Sequence, residues 1–351
     1  MKSHYVLALE KVKPPLIDFV GHDHLMECLN QSISFCSIEG GNSILLIVGP
    51  SHAGKSALLS QLSGYLYTQQ FQQHTPDLMH VIGATALTSR EGRTTPKYIY
   101  SALLEDLQHP LFYTQHLERP EDYRPWIRFD ETFMLTRLRR SMEVRDTRFT
   151  ILDEGQYLTR AKDPEFKASL LESMKSLVTP RSSLIMAGGY ELVEVALSIR
   201  AHVAIRVIVL HLGRYKDTPG DRQAWLQILK AYSLCPLLRL SREDLLITHA
   251  DLLLEQCQGV LGMLEKRLIA CKMLSDARGV PIDEGILEAT APSQLAWNTM
   301  QADIAHGEAT LAAYQASVDV TKVKPASAPK KKPAKPPFTR NAKRSHPPVT
   351  V

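Results

Sequence analysis

No run of the sequence approaches the roughly 18 apolar residues that a membrane-crossing helix needs. The opening MKSHYVLALEKVKPP also lacks the apolar centre of a secretion signal. Cysteine is scarce: Cys28, Cys36, Cys235, Cys257 and Cys271 are the five in 351 residues, and none forms a CxxC pair. That scatter excludes a disulfide frame and a zinc site. All but Cys235 fall in helix-like stretches, so a soluble, cytoplasmic protein with reduced structural thiols is expected. No internal repeat is apparent, which argues against a solenoid. Trp126, Trp225, Trp297 and the histidines show no ligand or triad spacing.

One charge sign is also missing locally. From Thr321 to the end there are nine Lys and Arg and no Asp or Glu. The net charge of +4 therefore hides a mildly acidic body of −5 and a basic tail. The Lys/Pro-rich run KVKPASAPKKKPAKPP has too little apolar content to fold alone. Such a tail suits a polyanion or serves as a solubilising linker.

What is present is a soluble, core-forming composition with 44% hydrophobic residues, arranged as alternating strands and helices. An extended, proline-containing lead (Val12–Phe19) precedes a helix at His22–Ser37. Strands are predicted at Ser43–Val48, Leu78–Ala84, Arg148–Asp153, Ser183–Ala187 and Arg206–His211. Helices are predicted at Lys55–Gln69, at Pro96–Gln108 capped by Thr94 or Thr95, at Asp130–Glu143, at Pro164–Leu177 and at Glu191–Ile199. Alternation of this kind predicts an α/β fold, a doubly wound parallel sheet covered on both faces. After Asp217 the pattern is wholly helical: Asp221–Tyr232, Thr248–Gln258, Leu261–Arg278, Asp283–Ala289 and 294–316. The expected organisation is an N-terminal lead (1–40), a strand–helix core (41–216), a helical lid (217–291), a C-terminal helix (292–320) and a disordered basic tail (321–351).

Gly49-Pro50-Ser51-His52-Ala53-Gly54-Lys55-Ser56 fits GxxxxGK[ST] between a predicted strand and a predicted helix. Glycines let backbone N–H groups curl around phosphate, and the helix N-terminus adds partial positive charge. Lys55 then reaches the β- and γ-phosphates, and Ser56 offers its hydroxyl to Mg²⁺. The second half of the site is Phe149-Thr-Ile-Leu-Asp153-Glu154, an apolar strand ending in two carboxylates. Asp153 at the sheet's C-terminal edge can hold the Mg²⁺ shell, and Glu154 can act as general base on water. The cofactors expected are ATP and Mg²⁺.

Arg200 and Arg206 flank the last predicted strand, and either could reach a neighbouring subunit's γ-phosphate; Arg206, which opens the strand, is favoured. Arg90, Arg93, Thr94, Thr95 and Lys97 cluster before a helix N-terminus, a set suited to gripping a phosphodiester backbone without reading sequence. Arg137 and Arg140 add positive charge on a later helix. An ordinary solvated face accounts for these basic residues nearly as well.

From Phe19-Val20-Gly21 through Cys271 the chain resembles the TnsC/TniB family, AAA+ regulators of DNA transposition. The resemblance rests on TTPKYIYSALLEDL after the second strand, on Asp153-Glu-Gly-Gln156, and on Gly259-Val-Leu-Gly262-Met-Leu where other AAA+ proteins place a sensor arginine. It implies an AAA+ ATPase that forms a ring or filament around duplex DNA. It also implies links to a TniQ-like target selector and a transposase, the latter possibly through the tail, with release on ATP hydrolysis. Val20 and Gly21 would then lie beside the adenine, and Lys97 with its neighbours would face the DNA. Two departures bear on hydrolysis: Gly188-Gly189 stands where the family often has Gly-Thr, and Gly262 offers no side chain to phosphate. Both make slow turnover the expectation. The rivals are a signalling or secretion-associated AAA+ ATPase whose lid binds protein, and a clamp that binds ATP and barely turns it over.

Overall fold

The computed structural model describes residues 2–11, 16–17, 21–38, 41–71, 77–86, 95–113, 129–158, 173–198 and 206–318, the side chains of 195, 197 and 198 excepted. The predicted helix at Pro164–Leu177 and the basic tail lie largely or wholly outside these residues.

Five short apolar runs form one parallel sheet: β1 (Ile44–Val48), β2 (Val81–Thr85), β3 (Phe149–Asp153), β4 (Ser183–Gly188) and β5 (Val207–His211), in the order β2-β3-β4-β1-β5. Every residue of β1, β3 and β4 is buried. A strand covered on both faces reads as such an unbroken apolar run. Edge strand β5 is less covered, with Ile208 exposed. Because β1 lies between β4 and β5, the chain reverses its direction of winding beside β1, and the crevice above the carboxyl ends of β1, β3 and β4 is where such sheets bind ligands.

One face of the sheet is covered by α1 (His4–Lys11), α2 (Asp23–Ile38) and α3 (Lys55–Tyr65), through Leu25, Leu58, Leu59 and Leu62 against Leu45, Ile47, Ile151 and Ile185. The other face carries α4 (Pro96–Asp106), α5 (Glu131–Val144) and α6 (Glu191–Ser198), through Leu103, Leu104, Leu138 and Leu192 against Leu46, Leu152 and Met186. Thr95 caps α4, accepting from the Tyr98 N–H with proline in the first turn, and Asp130 caps α5 through the Phe133 N–H (2.7 Å).

Several sequence-based boundaries need correction. Strand β2 starts at Val81 rather than Leu78, and α4 stops at Asp106. The expected Thr248–Gln258 helix is α9 (Ala250–Gln256), and a separate short α8 (Leu245–Thr248) precedes it; α9 ends before Gln258 and Gly259, whose φ angles of 53° and 67° no helix accommodates. Helix α1 was not anticipated at all, although Val6 and Leu9, three apart, are its buried face. Of the extended lead, Leu16 is described, and it is buried in the lid's core with its carbonyl accepting from the Cys235 thiol. All five cysteines are free and buried.

Helices α7 (Pro219–Ser233), α8, α9, α10 (Leu261–Arg278) and α11 (Glu284–Ala289) share a separate core around Trp225, Leu229, Leu253, Leu264 and Leu268. Helix α12 (Gln294–Val318) then runs back to the sheet. There Gly307 is in contact with Tyr190 (a Cβ at 307 would lie 2.1 Å from the Tyr190 ring), and Arg214 forks onto Glu308 at 3.0 and 3.3 Å.

Buried Asp106 fastens α1 to the sheet. Its carboxylate accepts from the Tyr5 N–H (2.7 Å) and the Gly83 N–H (2.8 Å). Burial pushes its pKa from 3.8 up to about 6, although those two hydrogen bonds pull the other way. The folded chain thus holds this proton more tightly than the unfolded one, so the stabilisation is full below about pH 4 and is lost as pH rises through about 6. His22, lowered to about 4 by burial, titrates with the opposite sign, so a subtraction is needed. The urea midpoint of the wild type minus that of Asp106→Asn is expected to shrink between pH 4 and pH 7.

Candidate nucleotide site

The chain turns from β1 into α3 through Gly49–Gly54, and glycine is required at both ends of that turn. A Cβ at Gly49 would lie 2.2 Å from the Leu212 carbonyl oxygen, and Gly54 caps α3 at φ 100°. His52, at φ 66°, takes a left-handed conformation that histidine adopts more readily than most residues. Lys55 opens α3, and its ammonium donates to the carbonyls of Gly49 (3.1 Å) and Pro50 (2.8 Å). Burial lowers its pKa, while Glu154, Asp153 and Glu191 act in the other direction.

One residue further on, the Ser56 hydroxyl donates to Asp153 Oδ2 at 2.8 Å. This bond joins the first turn of α3 to the carboxyl end of β3, with Asp153 only 7% exposed. Burial raises the Asp153 pKa, against the hydrogen bonds from Ser56 and from the Glu154 N–H. A hydroxyl and a carboxylate so paired are hard oxygen donors, beside the loop where phosphates would add theirs. This donor set fits Mg²⁺, which is commonly bound through one or two carboxylates plus phosphate.

Glu154 sits at φ 55°, outside ordinary strand geometry. Its carboxylate is held by the Gln156 amide: Nε2 donates to Glu154 Oε2 (2.5 Å), and Oε1 accepts from the Gly189 N–H (3.1 Å). A Cβ at Gly188 would lie 2.6 Å from that Oε1, so glycine at 188 makes room for the amide. A Cβ at Gly189 would instead meet Glu191 Oε2 at 2.1 Å, so the carboxylate after β4 stands where a side chain at 189 would begin. Changing Gln156 to Ala is expected to lower saturated ATP turnover about tenfold, roughly 1.4 kcal/mol. Affinity for a non-hydrolysable ATP analogue should stay within about twofold, as steady-state kinetics and a binding titration would show.

The lid reaches the phosphate loop through its backbone. Gly262, in the first turn of α10, donates its N–H to the His52 carbonyl (3.0 Å), and a Cβ there would lie 2.4 Å from that oxygen. One turn along, Lys266 Nζ lies 2.8 Å from His52 Nε2. Burial and the neighbouring Lys266 and Lys55 lower the His52 pKa, favouring the neutral ring that can accept from Lys266. Gly21 precedes α2, whose Leu25 lies within van der Waals reach of Gly54 (3.8 Å from a Cβ built there). The following His22 pairs with the Tyr215 hydroxyl (2.8 Å), on the segment that leads from β5 to the lid. Val20 lies outside the described residues.

The basic candidates are spread out. Arg90, Arg93, Thr94 and Arg200 lie outside the described residues. Lys97 stands in the first turn of α4, next to the cap Thr95. Arg137 instead lies over the Phe133 ring at 5.1 Å. Arg140 pairs with Glu143 at 2.8 Å and lines, with Arg139 and Arg181, a separate depression of about 470 Å³. Arg206 binds Asn42 Oδ1 (2.5 Å) at the amino end of the sheet, so it cannot serve its own chain's nucleotide site at the carboxyl end. Sequence reasoning missed Glu191, whose Oε2 lies 2.1 Å from where a Gly189 Cβ would be, and Lys266. A first-turn glutamate after β4 was the available signal for the former; nothing local marked the latter.

A five-stranded parallel sheet in this order, a glycine-rich turn from β1 into a helix, and an acidic pair at the end of β3 with β4 between the two strands define a P-loop NTPase of AAA+ architecture. Residues 38–195 match the family described as AAA domain, and that stretch is a nucleotide-binding AAA+ ATPase domain. ORC2 of Aeropyrum pernix, solved as ADPNP–ADP complexes, is similar at TM-score 0.55 and 14% identity, over 82% of this chain and 71% of that one. Its ADP form gives 0.53 at 14%, over 81% and 71%. Domain III of the Thermotoga maritima replication initiation protein DnaA gives 0.44 at 14%, over 78% and 92%. No curated protein matches the sequence. Among the described residues no helix is long and apolar enough to cross a membrane.

Proposed function

We propose that the protein is an ATP-dependent regulator of DNA transposition. It assembles with copies of itself on duplex DNA, connects a TniQ-like target selector to a transposase, and leaves the DNA when ATP is hydrolysed. The core (41–216) binds ATP, the lid (217–291) closes over it, and the basic tail (321–351) touches DNA or transposase. Mg²⁺, held by Ser56 and Asp153, supplies charge neutralisation at the phosphates. Lys55 binds their β- and γ-oxygens, and Glu154 takes a proton from the attacking water. Arg206 or Arg200 of a neighbouring copy faces the γ-phosphate, which a finger remote from its own site requires. Turnover is slow because Gly189 and Gly262 offer no side chain to phosphate.

The observation that carries the DNA reading is the Lys97 side chain in the Thr95-capped first turn of α4, which follows Arg90 and Arg93 in the sequence. Electron microscopy with duplex DNA and a non-hydrolysable ATP analogue should show rings or filaments around the DNA. Isolated particles under those conditions would refute the reading. Lys97→Ala should weaken binding uniformly across sequences and reduce the salt slope by about one.

A lid that binds protein instead, in a signalling or secretion setting, is favoured by Leu234 and Met273, 77% and 68% exposed on its surface. ATPase activity indifferent to duplex DNA would select this second reading.

A further inference from the structure

The Tyr5 hydroxyl is buried and has no hydrogen-bond partner among the described residues. The surrounding structure is shaped for this side chain. Its N–H is anchored on Asp106, and β2 has glycine at 83, where a Cβ would lie 2.1 Å from the Tyr5 ring. A dry, unbonded hydroxyl is costly, and phenylalanine would fill the same notch without that cost. The notch thus explains the ring and leaves the oxygen unexplained.

The sheet register gives the oxygen a destination. Gly83 pairs with Ile151 and Thr85 with Asp153. Alternate residues share a face, so the notch at Gly83 and the Asp153 side chain both lie on the α3 side. Adjacent strands stand about 4.8 Å apart and two residues rise about 6.6 Å, so the Gly83 and Asp153 Cα atoms are roughly 8 Å apart. A tyrosine side chain lying over Gly83 spans most of that. Burial raises the Tyr5 pKa, and Asp153, ahead of Asp106 and Glu154, raises it further. Ser56 and the Glu154 N–H already occupy one lone pair on each Asp153 oxygen.

We propose that Tyr5 is a positioning residue of the nucleotide site, its hydroxyl oxygen accepting from the hydration shell that Asp153 holds when Mg-ATP is bound. This rests on the ATPase reading above and adds a residue from the N-terminal helix to it. The test is Tyr5→Phe in the full chain, with a fluorescent non-hydrolysable ATP analogue titrated at varied Mg²⁺ and in EDTA, and with melting of the nucleotide-free protein. The Mg²⁺ concentration for half-maximal analogue binding should rise about three- to tenfold. Binding in EDTA should be unchanged and melting unchanged or higher. A Mg²⁺ titration superimposable on the wild type would overturn the proposal. So would an equal loss of affinity with and without Mg²⁺, which marks a merely structural role. If the wild type itself shows no Mg²⁺-dependent analogue binding, the ATPase reading fails first and the proposal falls with it.

Discussion

Glu154→Gln is expected to reduce ATP turnover by about 10²–10⁴-fold, the usual contribution of a positioned general base, while analogue affinity stays within about threefold. The substitution removes the proton acceptor and little else. A glutamine carbonyl can still accept from Gln156 Nε2, and the backbone at 154 still donates its N–H to Asp153 Oδ1 (2.8 Å). The φ of 55° strains glutamate and glutamine alike, so stability should not change. Ser56 and Asp153 keep their bond, and nucleotide binding with it. Phosphate release measured beside an analogue titration separates the two effects. With duplex DNA present, assemblies of the variant should persist after ATP addition, whereas those of the wild type decay. Turnover within about tenfold of the wild type would remove Glu154 from the reaction and leave the ATP-binding clamp as the better description.

Gly262→Val tests the other side of the site, and nucleotide affinity should fall at least tenfold, roughly 1.4 kcal/mol. The new Cβ would meet the His52 carbonyl oxygen at 2.4 Å and the His52 Cβ at 2.9 Å. Helix α10 must therefore withdraw, which also breaks the N–H···O bond from 262 and the Lys266–His52 contact. The lid's core around Trp225, Leu253 and Leu264 does not include position 262, so melting should fall much less than binding. Lys266→Ala is the graded control: its ammonium is exposed, and the loss should be only about two- to threefold. Calorimetric titration and hydrogen exchange over residues 49–56 read both. An unchanged affinity in Gly262→Val would mean that the lid does not govern nucleotide binding.

The sheet was legible because its strands are buried on both faces: SILLIV and FTILD are apolar at most positions, and helices alternate with them. The acidic pair and the glycine-rich turn could be read locally for a related reason, since each is a short run at the end of a strand. Helix α1 escaped notice because eight residues give only two buried positions, and its anchor is Asp106, about a hundred residues away. Helix α8 was overlooked because four residues carry too short an apolar pattern, and nothing local marks the break at His249 that separates it from α9. Contacts such as Gln156 with Gly189, or Gly262 with His52, carry no local sign. The glycines at 189 and 262 look like missing side chains until their neighbours are known, when Glu191 and the His52 carbonyl turn out to come close there.

The return of α12 to the sheet has a mechanical consequence. The lid leaves the core through the segment around Tyr215 and is fastened to it again where Arg214 and Lys216 meet Glu308, and where Gly307 is in contact with Tyr190. With Gly262 also bonded to the His52 carbonyl, the helical region touches the core beside the phosphate loop and again, through α12, beside β4. Tyr190 sits two residues after Gly188 and one before α6, so the far attachment adjoins the wall of the nucleotide site. A shift of the lid at His52 is therefore resisted by an anchor on the opposite wall of the same site.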